Sequence, residues 1–320
     1  VPRVHHVTAD EAQCRWDRRL PPVLEIEPGD TVVFETPDAV NGQIAPDSNA
    51  DVLRNLDFDP IHQVNGPVLV RGAEAGDTLV VDVIDIKPRD WGWTAIIPNF
   101  GLLQEDEAFQ EPHLHIWDLT SGSYAEFKPG IRVPFEPFCG VMAVAPDEDE
   151  PQITLPPRVN GGNVDIKQAQ PGSTVYLPVL ADGALFSLGD VHAAQGDGEV
   201  CGSAIECQAT VTVQIDIMKG HQMPEMAIKL DGQMPGAWNT AGWMITTAHG
   251  PDLFAASQQA TRYMIDYIAR SQKLTAQEAY ILCSACVDLK ISEIVDAPNW
   301  IVSASLPLGI FSGRGVGGGE

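Results

Sequence analysis

The sequence predicts a mainly β protein, a β-sandwich with an added α+β part near its carboxyl end that carries two helices. Three observations predict it. Turn-then-strand segments recur through the first 250 residues. The 25 prolines and 29 glycines give turn signals at short intervals. Helical periodicity appears only after about residue 250. Such spacing points to a sandwich or barrel rather than a parallel α/β sheet. No Gly-x-Gly-x-x-Gly or Walker sequence follows any of the strands, which argues against a nucleotide-binding fold.

Taken in order, three segments share one design: EPGDTVVFET (27–36), EAGDTLVVDV (74–83) and QPGSTVYLPV (170–179). In each, Gly supplies a positive φ, Asp or Ser ties the turn to the backbone, and a β-branched run supplies the strand. The charged stretch APDEDEPQ (145–152) reads as an exposed connection. It divides the chain into a β-rich half, 1–146, and a second β-rich half, 153–320, which together form one compact unit. In PDLFAASQQATRYMIDYIARSQ, the residues Ala260, Met264, Tyr267 and Ile268 form a helical stripe. A capping box, TAQE (275–278), opens a second helix running to about Leu289, so the helical part spans 252–289. SEIVDAPNWIVSASLPLGIF reads as a further strand pair, and the tail SGRGVGGGE as disordered.

Composition narrows the function. Net charge is −25, from 19 basic and 44 acidic side chains, which argues against nucleic acid as a partner. No apolar run is long enough for a membrane span, and the amino end lacks the apolar core of a signal peptide. The six cysteines are too sparse for a disulfide scaffold. Cys283 and Cys286 fall within a helical pattern and read as buried helix residues. A reducing cytoplasm fits this usage.

The chemistry concentrates in GDVHAAQGDGEVCG (189–202). On an extended segment Asp190 and His192 share a face, and an Asp and a His so placed suit a divalent metal such as zinc. Gly196 and Gly198 let the chain approach closely, and Glu199 and Glu206 offer a further ligand or a general base. A second set, Asn163, Asp165 and Lys167, follows two glycines at spacings of two, one face of a strand. Each set also has a plainer reading, in which short polar side chains tie down turns.

The stretch PPRVNGGNVDIKQAQPGSTVYLPVLADGALFSLGDVHAAQGDGEVCGSAIE resembles the central signature of the acetamidase/formamidase family. WDRRLPP (16–22), VNGPVLVRGAEAGD (64–77), PFCGVMAVAP (137–146) and EAYILCSACVDLKIS extend the likeness over nearly the whole chain. Val191 within Gly-Asp-x-His and Arg71 depart from the usual wording; the second stands where an acidic residue is common. The resemblance implies a β-sandwich of jelly-roll or CUB-like kind with an α+β part. It also implies hydrolysis of a short aliphatic carboxamide, formamide- or acetamide-like, to carboxylate and ammonia, by a metal-dependent enzyme. Some relatives open cyclic amides, so a γ-lactam hydrolase on the same scaffold is the alternative. A homodimer or higher homo-oligomer is expected.

Assigned by chemistry, Asp165, Asp190 and His192 hold a divalent metal, zinc foremost, and leave a coordination position open. Glu199, with His192, carries catalysis by moving the proton from water to ammonia. Asn163, Gln195 and His62 contact the amide substrate. A rival route uses Cys201 as nucleophile with Glu199 and Lys167, in the manner of nitrilase-type amidases. His113 and His115 are a further candidate metal pair. A non-catalytic β-sandwich binding calcium or another ligand also stays open, as does a structural calcium beside the catalytic metal.

Overall fold

The computed structural model describes residues 2–230, 241–294 and 297–311; the tail expected to be disordered, 312–320, lies outside them. The protein is mainly β. A 13-stranded sheet dominates. Its principal strands are β1 (Thr31–Thr36), β2 (Val64–Val70), β3 (Thr78–Ile96), β4 (His113–Asp118), β5 (Phe138–Ala143), β6 (Gly161–Asn163), β7 (Ser173–Pro178), β8 (Phe186–His192) and β9 (Glu206–Met218). Neighbours run β6–β5–β8–β9–β3–β7, with β1 also on β9, β2 on β8 and β4 on β3. The long strands β3 and β9 pair antiparallel from Met218↔Thr78 to Glu206↔Trp93. Residues from both sides of the exposed stretch 147–151 thus share one sheet.

The three turn-and-strand segments form as their residues dictate. Gly29, Gly76 and Gly172 take φ of +86°, +101° and +90°. The next amide closes each turn: Asp30 N–H donates to Glu27 O, Asp77 to Glu74 O and Ser173 to Gln170 O. The Asp30 and Asp77 carboxylates accept from the Glu27 and Glu74 amides, and β1, β3 and β7 follow directly. Buried valines, isoleucines, leucines and phenylalanines from both sides of the turns form the main core, each contributing about 1.5–3 kcal/mol when fully buried.

A second, three-stranded sheet comprises β10 (Trp243–Gly250), β11 (Asp288–Glu293) and β12 (Trp300–Pro307), in the order β10–β12–β11. Against it lies α1 (Leu253–Gln272), capped by the Asp252 side chain and burying Ala260, Met264 and Ile268 of the expected stripe. The capping box of Thr275 and Glu278 opens α2 (Ala276–Cys286). This helix stops three residues short of the sequence expectation. Val287 is extended, and Asp288 and Leu289 pair with Ser305 and Ala304 of β12. Strand pairing overrides helical periodicity there. Among the described residues no helix is long and apolar enough to cross a membrane.

Candidate active site

Strand β8 delivers Asp190 and His192, and β9 begins at Glu206, so residues 193–205 form a loop between neighbouring strands. The C-terminal part holds this loop. Gly196 N–H donates to Ser284 O at 2.7 Å and Leu289 N–H to Asp197 O at 2.9 Å. Ser284 Oγ accepts from Cys201 N–H and donates to Ser203 O, and the Tyr280 hydroxyl donates to Val200 O. Gly196 is required by this approach, because a Cβ there would land on the Val287 carbonyl oxygen.

Asp165 arrives differently from the sequence expectation. The strand β6 ends at Asn163, and Asp165 takes a φ of +48°, so Asn163, Asp165 and Lys167 do not line one strand face. The left-handed residue breaks the alternation, sending Asp165 toward β8 and Lys167 to an ion pair with Asp288. His62 (φ +53°), Asp190 (+53°) and Glu199 (+41°) share that backbone region. A non-glycine residue there costs on the order of 1–3 kcal/mol, and such positions concentrate at functional sites.

The side chains converge. Ligand atoms of Asp165, Asp190 and His192 lie within 4.8 Å of one another, as do those of His192, Glu199 and Glu206. His192 Nε2 is 3.5 Å from Asp190 Oδ2 and 3.2 Å from Glu206 Oε2, and His62 Nδ1 is 3.9 Å from Asp190 Oδ2. Gly140 on β5 makes room, since a Cβ there would lie 2.5 Å from Asp165 Oδ1 and 2.9 Å from Asp190 Oδ2. Asp165 Oδ1, Asp190 Oδ1, His192 Nε2 and Glu206 Oε2 are all buried without a hydrogen-bond partner. Buried polar atoms are almost always satisfied, so four orphans within one cluster of ligand-type side chains fit a bound cation. One imidazole nitrogen among carboxylate oxygens suits zinc or another first-row divalent metal.

Charge leads to the same place. Burial pulls the His192 imidazole down, but the Glu206 and Asp190 carboxylates outweigh it and hold its pKa well above the usual value. Burial, reinforced by the Asp165 charge, raises Glu199 well above the usual carboxylate range. Burial also pushes Asp165 up to about 7. Asp190 goes the other way: despite burial, His62 and His192 keep it well below the usual range. The cluster holds more negative charge than its imidazoles neutralise, and protons or a divalent cation answer that excess alike.

Above the cluster lies a cavity of about 80 Å³. Its polar floor includes His62, Asn163, Asp190, Glu199, Ser203 and Glu206, and its apolar wall includes Phe58, Ile61, Trp93, Ile97, Phe100 and Leu155. Gln195 does not have the expected place on substrate. Its Oε1 faces His192 Nδ1 at 2.9 Å and its Nε2 donates to Asp165 O at 2.9 Å, so both ends of the amide are engaged. The thiol route loses its geometry. Cys201 Sγ bonds to Ala95 O and Ser203 O, burial raises its pKa to about 11, and Lys167 pairs with Asp288 and Asp197. His115 packs in an aromatic cluster with Trp117 and Phe127, while Arg71 pairs on the surface with Glu25 and Glu27. The apolar wall was not singled out from sequence. Its residues come from separate segments between Phe58 and Leu155, and the cross-strand pairing that sets Trp93 beside Glu206 exists only in the folded sheet.

Comparison with known proteins adds the following. A family model described as the acetamidase/formamidase family matches residues 3–153 and 148–313. A formamidase of Methylophilus methylotrophus is 29% identical over 93% of this chain and 88% of its own length. Among solved structures, a γ-lactamase from Delftia acidovorans superposes with a TM-score of 0.89 at 28% identity, covering 96% of this chain and 90% of the other. An acetamidase from Bacillus halodurans superposes with a TM-score of 0.67 at 34% identity, covering 96% and 98%.

Proposed function

This chain belongs to the acetamidase/formamidase family, and from that premise we propose that it is a metal-dependent amidase. It hydrolyses a short carboxamide to carboxylate and ammonia. One observation carries the reading: four buried ligand atoms without hydrogen-bond partners, Asp165 Oδ1, Asp190 Oδ1, His192 Nε2 and Glu206 Oε2, on side chains that converge in one cluster. Asp165, Asp190 and His192 are the ligands, with Glu206 beside them. A divalent cation, zinc foremost, supplies Lewis acidity toward water and the amide carbonyl.

The remaining work falls to side chains. Gln195 Nε2 donates to a carbonyl, so its Oε1 is the acceptor facing His192. Nδ1 therefore carries the ligand-state proton and Nε2 presents its lone pair. Glu199, at the cavity floor, takes the proton from water and returns it to the departing nitrogen, which leaves as ammonia. The apolar wall excludes bulk water and strengthens these charge interactions. We also read the β part as a sandwich.

The test is ammonia release from formamide, acetamide and butyramide, before and after chelation and zinc restoration, with metal content measured alongside. Release that stops on chelation and returns with metal supports the reading; release indifferent to chelation overturns its metal dependence. A second reading, opening of a γ-lactam, is favoured by the likeness to the Delftia γ-lactamase. It yields an amino acid and no ammonia, so ring-opened product from 2-pyrrolidinone distinguishes it.

A further inference from the structure

Trp93 is only 2% exposed, and its Nε1 is buried without a hydrogen-bond partner. Indole N–H groups usually find an acceptor when buried. Trp93 lines the cavity and stands directly across from Glu206 in the β3–β9 register. Directly paired residues place their side chains on the same face, so the indole is beside the carboxylate cluster. Asn163 lines the same cavity, and its Oδ1 is likewise buried without a partner. One orphan is a donor and the other an acceptor, and a carboxamide offers the complement: a carbonyl oxygen to receive one hydrogen bond and N–H groups to give another.

Above its polar floor the cavity is walled by hydrocarbon. Phe58, Ile61, Ile97, Phe100 and Leu155 surround it, and Trp93, Ile61 and Ile97 continue into a satellite core with Ala39, Val40, Ile44 and Leu53. Its volume of about 80 Å³ compares with roughly 10–15 Å³ needed for one water. Formamide would leave much of it empty, whereas an amide with a compact chain or ring of three to five carbons would fill it.

We propose that Trp93 is the hydrogen-bond donor to the substrate carbonyl, and that the apolar wall around it selects amides with a compact hydrocarbon part over formamide. The proposal rests on the amidase reading and adds to it the substrate class and a further catalytic residue. The N–H acts where negative charge develops on the carbonyl oxygen as water adds, and removing one such donor typically costs on the order of 10²- to 10³-fold in kcat.

The experiment measures kcat and KM of wild type and Trp93→Phe for formamide, acetamide, butyramide and 2-pyrrolidinone, with melting curves for both proteins. Wild type is expected to show its highest kcat/KM on butyramide or 2-pyrrolidinone. Trp93→Phe is expected to lose about 10²-fold, mainly in kcat, by a similar factor on every substrate. Trp93→His, which keeps a ring N–H, recovers part of the loss. A variant within threefold of wild type overturns the donor role, and a wild-type preference for formamide overturns the size selection; both leave the amidase reading standing. Wild type inert toward every amide sinks that reading and this inference with it. Should Trp93→Phe not fold, 2-pentanone, with a carbonyl but no scissile bond, decides on the wild-type protein. One of its seven indole N–H signals must move downfield as the ketone saturates the site, and an unmoved set overturns the proposal.

Discussion

Gln195 Oε1 lies 2.9 Å from Nδ1 of His192. Through this contact an amide that touches none of the chemistry sets which imidazole nitrogen faces the carboxylates. Replacing Gln195 by Met removes the acceptor while keeping most of the volume. The expected outcome is a folded protein whose zinc affinity falls about 10- to 100-fold, read by competition with a chromophoric chelator. Unchanged affinity would show that His192 needs no such support.

Gly140 gives a second prediction. A methyl group there would stand 2.5 Å from Asp165 Oδ1 and 2.9 Å from Asp190 Oδ2. Gly140→Ala is expected to lose bound metal and amidase activity together. The overpacking costs about 1–3 kcal/mol of stability, measured by urea denaturation. A variant that keeps its metal would mean that the carboxylates have room to retreat.

Lys167 reaches from the segment after β6 to Asp288 at the start of β11, with Asp197 3.8 Å away. Both members of the closer pair are largely buried. Lys167→Met leaves two carboxylates facing one another without a cation. Breaking a buried pair from one side costs about 3–5 kcal/mol, seen as a lower urea midpoint, and Lys167→Arg should recover much of it.

His115 supplies the pH dependence. Its ring packs against Trp117 and Phe127. Burial lowers its pKa from 6.5 to about 4, His113 and Lys128 push the same way, and Glu278 opposes them. The folded state therefore favours the neutral ring. Its stabilising contribution is complete above pH 6.5 and is lost progressively as pH falls toward 4, where the unfolded chain binds a proton that the folded chain refuses. The loss amounts to at most about 3 kcal/mol. Denaturation midpoints of wild type and His115→Phe between pH 7 and 4 measure it; the variant should show a flatter decline, and parallel curves would exclude His115 as its source.

Much of this was legible in the sequence because it is written locally. A Gly-Asp turn before a β-branched run needs nothing from the rest of the chain, so the strands after Gly29, Gly76 and Gly172 could be read directly. The same holds for the Thr275–Glu278 capping box. Asp190 and His192 were legible as neighbours because they sit two apart on one strand. The bend at Asp165 was not, since its left-handed backbone depends on what surrounds it. Nor was the engagement of Gln195 by the Asp165 carbonyl, which only the folded chain brings within reach. The apolar wall was least legible, because Phe58, Trp93 and Leu155 look like ordinary core residues until the cavity between them is seen.

The contacts of Tyr280, Ser284 and Leu289 with the 193–205 loop bear on the chain while it is still being made. The ligands at 165, 190, 192 and 206 leave the ribosome well before the residues that brace them, so the large sheet can begin to form around a loop with one side open. A nascent chain ending before residue 280 would hold the cluster without the contacts that brace its loop. The bracing of the site is therefore finished late, after every residue of the cluster has been made.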